Sequence, residues 1–383
     1  MPLSSSWAEW SAAKNAKARA KARWRELEDL DARVLRGKLA GRQVVSFASN
    51  DYLGLSAHPS VLAAAHEALD RWGAGAGSAR LLGGSRPVHS ELEAELAAWK
   101  GAESALAFPS GFQANVGALS CLAGPGVLFA GDKLNHASIV DGCRLATALG
   151  ARFETYPHCD AGAAKRLLAE WPGRAVVVTD TVFSMDGDVA PVEELAEVCA
   201  AYGALLVVDE AHAVLGPHIG ELGCEVLRVG TLSKMLGSQG GFVAGRREIV
   251  ELMVNRCRSF IFTTALAPVS AAAALAALRV LRSPAGAGLV ETLRGHAARL
   301  APGRASPSPI VPVVMGTEAA ALRAAARLAE WGLYVPAVRP PTVPPGSSRL
   351  RISLSAAHSE DEVSLLLDAL DRLGVTTDGR GHR

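Results

Sequence analysis

The sequence lacks several features that would assign it to a well-marked class of protein. Its six cysteines are scattered and form no CxxC pair, so it predicts neither a disulfide framework nor a metal site. Its formal net charge is only +1, which provides no electrostatic footprint for nucleic acid. No apolar run approaches the roughly 20 residues of a membrane span, and no apolar signal core begins the chain. We therefore expect a cytoplasmic protein that binds neither nucleic acid nor membrane.

What the sequence does contain is an alternation of short apolar runs and helical patterns. Strands are predicted at residues 44–49, 105–108, 127–130, 175–180, 205–209, 226–230 and 241–245. Several of these runs are rich in β-branched residues and apolar on both faces, which is typical of a parallel sheet covered by helices on both sides. The fold class predicted from this pattern is α/β.

The pattern also suggests how the chain divides into domains. Residues 7–36 look helical and have a basic first half, which predicts an N-terminal helical arm at 1–45. A large domain follows at 46–280. Strands at 310–315 and 349–353 and helices after each predict a smaller α+β C-terminal domain at 281–375, and Ser359 with Glu362 forms a capping box for its last helix. Residues 376–383 are expected to be a disordered tail.

Lys234 lies in a small, polar turn between two predicted strands, which is an unusual place for a long cationic side chain. A lysine that is desolvated among small residues has a lowered amine pKa and can act as a nucleophile or a base. The alternative is a loop lysine without a chemical role. The turn alone does not decide between the two.

The apolar run at 205–208 is followed directly by Asp209 and Glu210, and His212 lies two residues further on. In helicases driven by nucleotides such an acidic pair holds magnesium, but this requires a GxxxxGK[ST] phosphate loop, and the chain has none. A strand-end carboxylate can instead keep a pyridine nitrogen protonated, as pyridoxal phosphate requires. Asp209 and Lys234 would then belong to one cofactor site, whereas a helix N-cap is the alternative for Asp209 alone.

Eight motifs in chain order resemble those of the α-oxoamine synthases, a family of pyridoxal-phosphate enzymes. They are NDYLGL (50–55), GAGAGSARLLGG (73–84) followed by His89, PSGFQAN (109–115), HASIVDG (136–142), FSMDGDVAP (183–191), VDEAH (208–212), GTLSKMLGSQGG (230–241) and PPTVP (340–344). The resemblance covers about residues 46–360. It implies fold type I, the aspartate-aminotransferase-like fold, with a mostly parallel sheet in the large domain.

Three of these motifs are most similar to those of the family member that serves biotin biosynthesis. That enzyme is an acyltransferase: it condenses L-alanine with a pimeloyl thioester, on coenzyme A or an acyl carrier protein, and releases carbon dioxide. The 2-amino-3-ketobutyrate ligases, 5-aminolevulinate synthases and serine palmitoyltransferases use other amino acids and acyl chains, and they remain alternatives. A non-catalytic regulator on this fold is a further alternative, but it would need a DNA-binding domain, and residues 1–45 show no such pattern.

The resemblance implies catalytic roles for Lys234, Asp209 and His136. Lys234 would bind the cofactor aldehyde and, once released, remove the Cα proton of alanine. Asp209 would pair with the pyridine nitrogen, and the imidazole of His136 would stack on the ring. The other cofactor-binding residues that it implies are Gly111, Phe112, Ser184, His212, Thr231, Thr263 and Thr264.

Each of these further residues has an expected partner on the cofactor. His212 and Ser184 would reach the phenolic oxygen, and Thr231 the phosphate. The predicted helix that opens at Gly111 and Phe112 would hold the phosphate with its N-terminal N–H groups. Thr263 and Thr264 match a position from which a neighbouring subunit reaches the phosphate, which implies a homodimer with shared active sites.

Substrate carboxylates call for the forked donors of arginine. Arg351 is the first candidate for the alanine carboxylate, and Arg339 is the second. Thr342 and Asn50 are expected to contact substrate. Arg23, or Arg25 beside it, aligns with the family's N-terminal arginine.

Overall fold

The computed structural model describes residues 6–21, 23–304 and 308–377. Within these residues the strands are β1 (Leu30–Arg33), β2 (Arg36–Leu39), β3 (Arg42–Ser46), β4 (Ser104–Phe108), β5 (Val127–Asp132), β6 (Arg152–Tyr156), β7 (Arg174–Asp180), β8 (Leu205–Asp209), β9 (Val226–Thr231), β10 (Gly241–Gly245), β11 (Ile310–Gly316), β12 (Leu333–Tyr334), β13 (Ala337–Val338) and β14 (Ser348–Ser353). Each predicted strand is present, with ends that differ by at most a few residues. The prediction missed β1, β2, β6, β12 and β13. These strands are short, and most residues of β6 are exposed or only partly buried.

The helices of the described residues are α1 (Trp7–Ala20), α2 (Pro59–Trp72), α3 (Pro87–Lys100), α4 (Gly111–Cys121), α5 (Ala137–Ala148), α6 (Ala161–Ala169), α7 (Val192–Tyr202), α8 (Arg247–Arg256), α9 (Arg258–Ile261), α10 (Pro268–Leu281), α11 (Pro284–Leu300), α12 (Glu318–Glu330) and α13 (Glu360–Arg372). No single helix among them is long and apolar enough to cross a membrane. The consecutive helices α10 and α11 meet that test of length and composition only as a pair, and the chain bends by 80° between them.

Contacts between Cα atoms divide the chain into two compact units. The central unit contains the described residues of 50–295 and 305–309, and the terminal unit contains those of 1–49, 296–304 and 310–383. We predicted an arm at 1–45, a large domain at 46–280 and a small domain at 281–375. In the division by contacts the arm and most of the small domain belong to one unit, whereas residues 281–295 belong to the central unit. Residues 378–383 of the predicted tail lie outside the described residues.

A seven-stranded sheet organises the central unit. Its strand order is β4-β10-β9-β8-β7-β5-β6, and β9, β8, β7, β5 and β6 pair in parallel. Only β10 runs against its neighbours, β4 and β9. The mostly parallel sheet predicted from the sequence is therefore confirmed. Since parallel strands share one direction, their carboxyl ends meet at a single edge, where ligands bind in sheets of this kind.

The sheet is covered on both faces, as its apolar strands require. Side chains alternate along each strand: Val176 and Val178 belong to one hydrophobic cluster with residues of α4, α5 and α8. Val177, between them, belongs to a second cluster with residues of α6 and α7. Helix α7 ends at Gly203, which has a left-handed conformation with φ 61°.

The terminal unit has two smaller sheets. One has the order β1-β2-β3-β12, and the other is the antiparallel sheet β11-β14-β13. Helix α13 begins at the capping box of Ser359 and Glu362, as predicted. The prediction of a helix over 7–36 was wrong: α1 ends at Ala20, and an antiparallel hairpin of β1 and β2 follows. The segment forms a hairpin instead of a helix because the hairpin buries Leu35 and Leu39.

His358 is buried in the terminal unit and is held as a neutral imidazole. Its ring stacks on Phe47 with centroids 4.1 Å apart. Nδ1 accepts a hydrogen bond from the Ser355 N–H at 3.0 Å, so the proton lies on Nε2, which donates to the Ser46 carbonyl at 3.1 Å. Burial disfavours the charged ring and lowers the pKa of His358 from 6.5 to about 4.

This lowered pKa predicts a loss of stability in acid. Between pH 6.5 and 4 the unfolded chain binds a proton at this residue and the folded chain does not, so stability falls as the pH falls. At pH 5 the loss should be about 2 kcal/mol of unfolding free energy. The advantage of the wild-type protein over His358→Gln in chemical denaturation should therefore be smaller at pH 5 than at pH 7.5 by about this amount. The exposed His66→Gln is the control, and an unchanged advantage of His358 would contradict the prediction.

Candidate active site

A cavity of about 200 Å³ lies at the carboxyl edge of the parallel strands in the central unit. It is lined by the ends of β7, β8 and β9, the start of α4 and the segment that leads into α5. Seven residues predicted from the sequence meet there: Gly111, Phe112, His136, Asp209, His212, Thr231 and Lys234. The lining also includes residues for which we predicted no role, among them the polar residues Asn115, Ser138 and Asp180.

Asp209 ends β8 and is buried. Its Oδ2 accepts a hydrogen bond from Asn115 Nδ2 at 2.6 Å, and its Oδ1 accepts one from the Ala211 N–H at 2.9 Å. Two N–H donors are the partners expected of an ionised carboxylate, which can only accept. A buried carboxylate in this setting can stabilise a cationic ring nitrogen.

Asp180 lies beside Asp209 because β7 and β8 pair in parallel with these two residues in register. Burial and the neighbouring charge of Asp209 raise the pKa of Asp180 well above its usual value, although its hydrogen bond with His136 opposes this. Asp180 Oδ2 accepts that bond from the His136 N–H at 2.7 Å. The pair therefore combines a carboxylate that faces the cavity with a second carboxyl that fixes the start of α5.

His136 is the N-cap residue of α5. Its Nδ1 lies 2.7 Å from Ser138 Oγ, and Ser138 Oγ accepts a hydrogen bond from Asn115 Nδ2 at 2.9 Å. Burial lowers the pKa of His136, as does Lys234, while Asp209 raises it. Asn115 thus connects the imidazole of His136 with the carboxylate of Asp209. The connection holds the two groups in one geometry.

Lys234 lies in the turn between β9 and β10, close to the end of β9. The turn is braced by Thr231, whose hydroxyl donates to the Gly240 carbonyl at 3.0 Å and accepts from the Ser233 N–H at 3.1 Å. The Gly237 N–H bonds to the Lys234 carbonyl at 2.9 Å. These bonds place the amine-bearing residue at the same strand edge as Asp209.

Helix α4 begins at the cavity, with Ser110 as its N-cap and Gly111 as its first residue. Its first N–H groups provide a site for an anion such as a phosphate. The helix approaches β10 so closely that a Cβ on Gly241 would lie 2.5 Å from the backbone of Gly111. A Cβ on Gly111 would itself lie 3.3 Å from Thr231. Glycine at 241 thus permits the close approach of α4 to β10, and glycine at 111 leaves the space beside Thr231 free.

His212 lines the cavity and contacts Tyr52, which is not among the lining residues. The Tyr52 hydroxyl lies 2.6 Å from His212 Nδ1 and 3.1 Å from Asn50 Oδ1. Asn50 and Tyr52 both belong to the NDYLGL motif, but we predicted a role only for Asn50. The fully buried Tyr52 is thus a further residue of the site that the sequence reasoning missed.

The residues present fit pyridoxal phosphate. The cavity offers a helix N-terminus for a phosphate, a carboxylate for a ring nitrogen, an imidazole and a lysine. Asn115 Oδ1 is buried and has no hydrogen-bond partner among the described residues, as expected of a polar atom beside an absent ligand. The donor set and this atom both point to a small polar ligand.

Other predicted site residues lie outside the cavity lining. Ser184 lies after β7, in the loop that the isolated β-bridge between Val182 and Val189 closes. Thr263 and Thr264 follow α9, and Thr264 is exposed. Of the five predicted substrate residues, Asn50 belongs to the central unit, and the other four belong to the terminal unit: Arg23, Arg339, Thr342 and Arg351.

Within the terminal unit these four residues have partners of their own. Arg351 is buried in β14 and donates to Ser353 Oγ at 2.8 Å. Arg339 donates to the Trp24 carbonyl at 3.2 Å. It is Arg25, and not Arg23, that reaches Thr342, with 3.3 Å between Arg25 Nη2 and Thr342 Oγ1. Arg23 instead lies 3.6 Å from the carboxylate of Glu318.

Two larger cavities of about 470 and 810 Å³ lie elsewhere in the central unit, and neither contains a predicted site residue. Both cavities are lined by a paired cluster of charges, Lys100 and Arg228 with Glu210 beside them. The buried carboxylate of Glu210 lies 2.6 Å from Lys100 Nζ and 2.9 Å from Arg228 Nη1. We therefore locate the chemistry at the smaller cavity, where amine and carboxylate converge.

Comparisons with known proteins agree with this geometry. The sequence profile of the family described as aminotransferase class I and II matches residues 42–370. The 8-amino-7-oxononanoate synthase of Anaeromyxobacter dehalogenans is 50% identical over 375 residues, which cover 90% of this chain and 93% of that protein. The enzyme of the same name from a Methylobacterium species is 49% identical and covers 89% of each.

Solved structures show the same fold. A serine palmitoyltransferase from S. paucimobilis, with bound PLP–myriocin aldimine, superposes with a TM-score of 0.88 at 29% identity and covers 96% of this chain and 97% of that one. The 8-amino-7-oxononanoate synthase of Francisella tularensis superposes with a TM-score of 0.71 at 26% identity and covers 86% and 97%. The fold-type-I prediction is confirmed, and the chain belongs to the aminotransferase class I and II family and, within it, to the α-oxoamine synthases.

Proposed function

We propose that this protein is an 8-amino-7-oxononanoate synthase that uses pyridoxal phosphate. It condenses L-alanine with a pimeloyl thioester and gives 8-amino-7-oxononanoate, carbon dioxide and the free thiol. The observation that carries the proposal is the meeting of Lys234, Asp209 and His136 in one cavity. The choice of this particular enzyme within the family is supported by relatives of this name that are 46–50% identical over most of the chain.

The chemistry divides between the cofactor and the residues of the cavity. Pyridoxal phosphate, when bound, supplies the electron sink that stabilises a carbanion at the substrate Cα. Asp209 holds the proton on the pyridine nitrogen, and its two N–H donors keep it oriented. The amine of Lys234 would hold the cofactor by its aldehyde and, once the substrate amine has displaced it, would be the base that takes the Cα proton.

The remaining residues bind and orient. The N-terminus of α4, with Gly111 and Phe112, binds the phosphate, and Thr231 contributes its hydroxyl there. The imidazole of His136, which lines the cavity, would stack on the ring and exclude water from that face. His212 bonds the phenolic oxygen, for which Ser184 is a second candidate partner.

Substrate binding is assigned to five residues. We propose that Arg351 binds the alanine carboxylate and that Arg339 is the alternative, since a guanidinium pairs with a carboxylate through two N–H groups. Thr342 and Asn50 contact substrate as well. For the N-terminal arginine, the contact of Arg25 with Thr342 favours Arg25 over Arg23.

We further propose a homodimer in which Thr263 and Thr264 reach the phosphate of the neighbouring subunit. The exposed position of Thr264 and the 69% exposed side chain of Phe262 beside it support this assignment. The proposed location is the cytoplasm, and six cysteines that form no disulfide support a reducing compartment.

A substrate screen tests the proposed function. With L-alanine and pimeloyl-CoA, thiol release should have a kcat/KM at least about 10-fold above that for serine with palmitoyl-CoA or glycine with succinyl-CoA. Mass spectrometry should identify the amino ketone, and Lys234→Ala should release no thiol above background. A preference for serine and palmitoyl-CoA would instead assign the protein to the serine palmitoyltransferases, whose fold it shares.

The acyl donor is either coenzyme A or an acyl carrier protein, and helix α1 bears on the choice. No residue of α1 is buried, and its exposed side chains include Lys14, Lys17 and Arg19. A basic helix of this kind attracts an acidic protein and accelerates its association at low salt. We therefore propose the carrier protein as a donor.

This proposal predicts a difference in salt dependence between the two donors. From 50 to 300 mM salt the KM for pimeloyl-carrier protein should rise severalfold, and that for pimeloyl-CoA should change less. The double substitution Lys14→Glu and Lys17→Glu should raise only the KM for the carrier protein. Lys165→Glu, at an exposed position of α6, is the control. Equal salt dependence for both donors would contradict the proposed role of α1 in attracting the carrier protein.

A further inference from the structure

His158 lies between β6 and α6 and connects two segments at the edge of the central sheet. Its Nδ1 is 3.0 Å from Asp132 Oδ1, and its Nε2 is 2.6 Å from Asp188 Oδ2. Asp132 is the last residue of β5. Asp188 belongs to the loop 182–189, which follows β7 and is closed by an isolated β-bridge. The imidazole thus bridges two carboxyl groups that belong to different segments of the chain.

The first of these segments is the turn after β5. Asp132 Oδ1 accepts a hydrogen bond from the Leu134 N–H at 2.8 Å, and the Asn135 N–H donates to the Asp132 carbonyl at 3.2 Å. The next residue is His136, whose imidazole is proposed to stack on the cofactor ring. The position of Asp132 therefore determines where this turn places His136.

The second segment is the loop 182–189, which carries Ser184. The base of the loop is fixed at the cavity, because Thr181 donates from both its N–H and its hydroxyl to the Asp209 carbonyl, each at 2.9 Å. The bond between Asp188 Oδ2 and the imidazole attaches the loop at a second point. Ser184 lies between these two attachments in the chain.

The two carboxyl contacts define the charge of the imidazole. The two oxygens of Asp132 accept the backbone N–H groups of Leu134 and Cys159, each at 2.8 Å, as expected of an ionised carboxylate. The side chain of Asp188 is 42% exposed, and its short distance to Nε2 is typical of a charge-assisted hydrogen bond. Ionised carboxylates only accept, so both ring nitrogens must donate, and an imidazole with two N–H groups is a cation.

The surroundings favour this cationic form. Partial burial lowers the pKa of His158, but the hydrogen bonds and charges of Asp188 and Asp132 outweigh it and raise the pKa above 6.5. Two further titratable groups lie beside the carboxylates. Burial raises the pKa of the Cys159 thiol to about 12 and also raises the pKa of the Tyr156 phenol, so both stay uncharged near neutral pH.

A metal ion is the alternative occupant of this cluster, since Asp132, His158 and Cys159 each place one ligand atom within 4.8 Å of the others. A histidine binds a metal through the lone pair of a ring nitrogen, as a neutral imidazole. Here both nitrogens point at carboxylate oxygens and need their protons for these bonds. A thiol must also lose its proton to bind a metal, and burial keeps the Cys159 thiol protonated. The contacts therefore favour a protonated bridge over a metal site.

We propose that His158 is a positioning residue that, as a cation, holds two segments of the cofactor site together. Its bond to Asp132 fixes the turn that leads to His136, and its bond to Asp188 fixes the loop of Ser184. Loss of the proton turns a bare nitrogen toward one of the carboxylates, so the bridge weakens as the pH rises. The proposal rests on the proposed function for the roles of His136 and Ser184, whereas the charge of His158 does not.

The charge of His158 is measured by NMR on protein labelled with 15N-histidine, and its signals are assigned by their loss in His158→Gln. At pH 6.5 both ring nitrogens should carry protons in more than half of the molecules. The titration midpoint should be higher than that of the histidines of the same protein unfolded in urea. Asp188→Asn keeps the shape of the side chain but removes its charge, so it should lower the midpoint. A midpoint at or below that of the unfolded chain, or one that Asp188→Asn leaves unchanged, would overturn the proposal.

Hydrogen exchange of the peptide 182–190, measured by mass spectrometry on the protein as purified, tests whether the bridge holds the loop. At pH 6.5 the protection factor should be about 5-fold lower in Asp188→Asn than in the wild-type protein. The difference should shrink as the pH rises through the midpoint of His158, since both proteins then lack the charged pair. Asp70→Asn, at an exposed position of α2, is the control and should match the wild type at each pH. Equal protection at pH 6.5, or a difference that does not change with pH, counts against the bridge.

The affinity for pyridoxal phosphate tests the positioning role itself. The dissociation constant of Asp188→Asn should be about 5-fold above that of the wild-type protein at pH 6.5, and the ratio should fall toward 1 above the midpoint of His158. A ratio of 1 at pH 6.5, in proteins whose exchange differs, would reject the positioning role. If the wild-type protein binds no pyridoxal phosphate, it is the proposed function that fails, and the NMR and exchange results still decide the charge and the bridge.

Discussion

The buried carboxylate of Asp209 is the constraint on which the site depends. A negative charge at the end of β8 is costly unless it is paired, and here it is held by the Asn115 amide and the Ala211 N–H. These two donors fix the direction of the carboxylate without neutralising it. The remaining charge is available for a cation in the cavity, and a protonated pyridine ring is such a cation.

The position of Asp209 determines how the neighbouring groups are arranged. Because β7 and β8 are in register, Asp180 is forced close to Asp209, and its raised pKa relieves the repulsion between the two carboxyls. Asp180 is then used to hold the start of α5, where His136 lies. Asn115 and Ser138 complete a chain of hydrogen bonds from Asp209 to His136. A substitution at any of these residues should therefore also change the position of the His136 imidazole.

Much of this site could be predicted from the sequence, because its main residues lie at the ends of short apolar strands. The run at 205–209 is β8 residue for residue, and it places Asp209 at the carboxyl edge. The turn that carries Lys234 was recognisable from its small residues between two strands. Asn115, Ser138, Asp180 and Tyr52 all lie within or beside quoted motifs or predicted strands. Their roles were missed because each depends on strand register or on contacts between segments far apart in the chain. The same limit explains the N-terminal hairpin, where burial of Leu35 and Leu39 overrode a helical pattern.

The most direct test of the account is the protonation state of the cofactor ring. Protein reconstituted with pyridoxal phosphate labelled with 15N at the ring nitrogen should show, by NMR, a protonated nitrogen at pH 8. In Asp209→Ala the same nitrogen should be unprotonated at that pH. A wild-type ring nitrogen without a proton at pH 8, or one that keeps its proton in Asp209→Ala, would contradict the central role of this carboxylate.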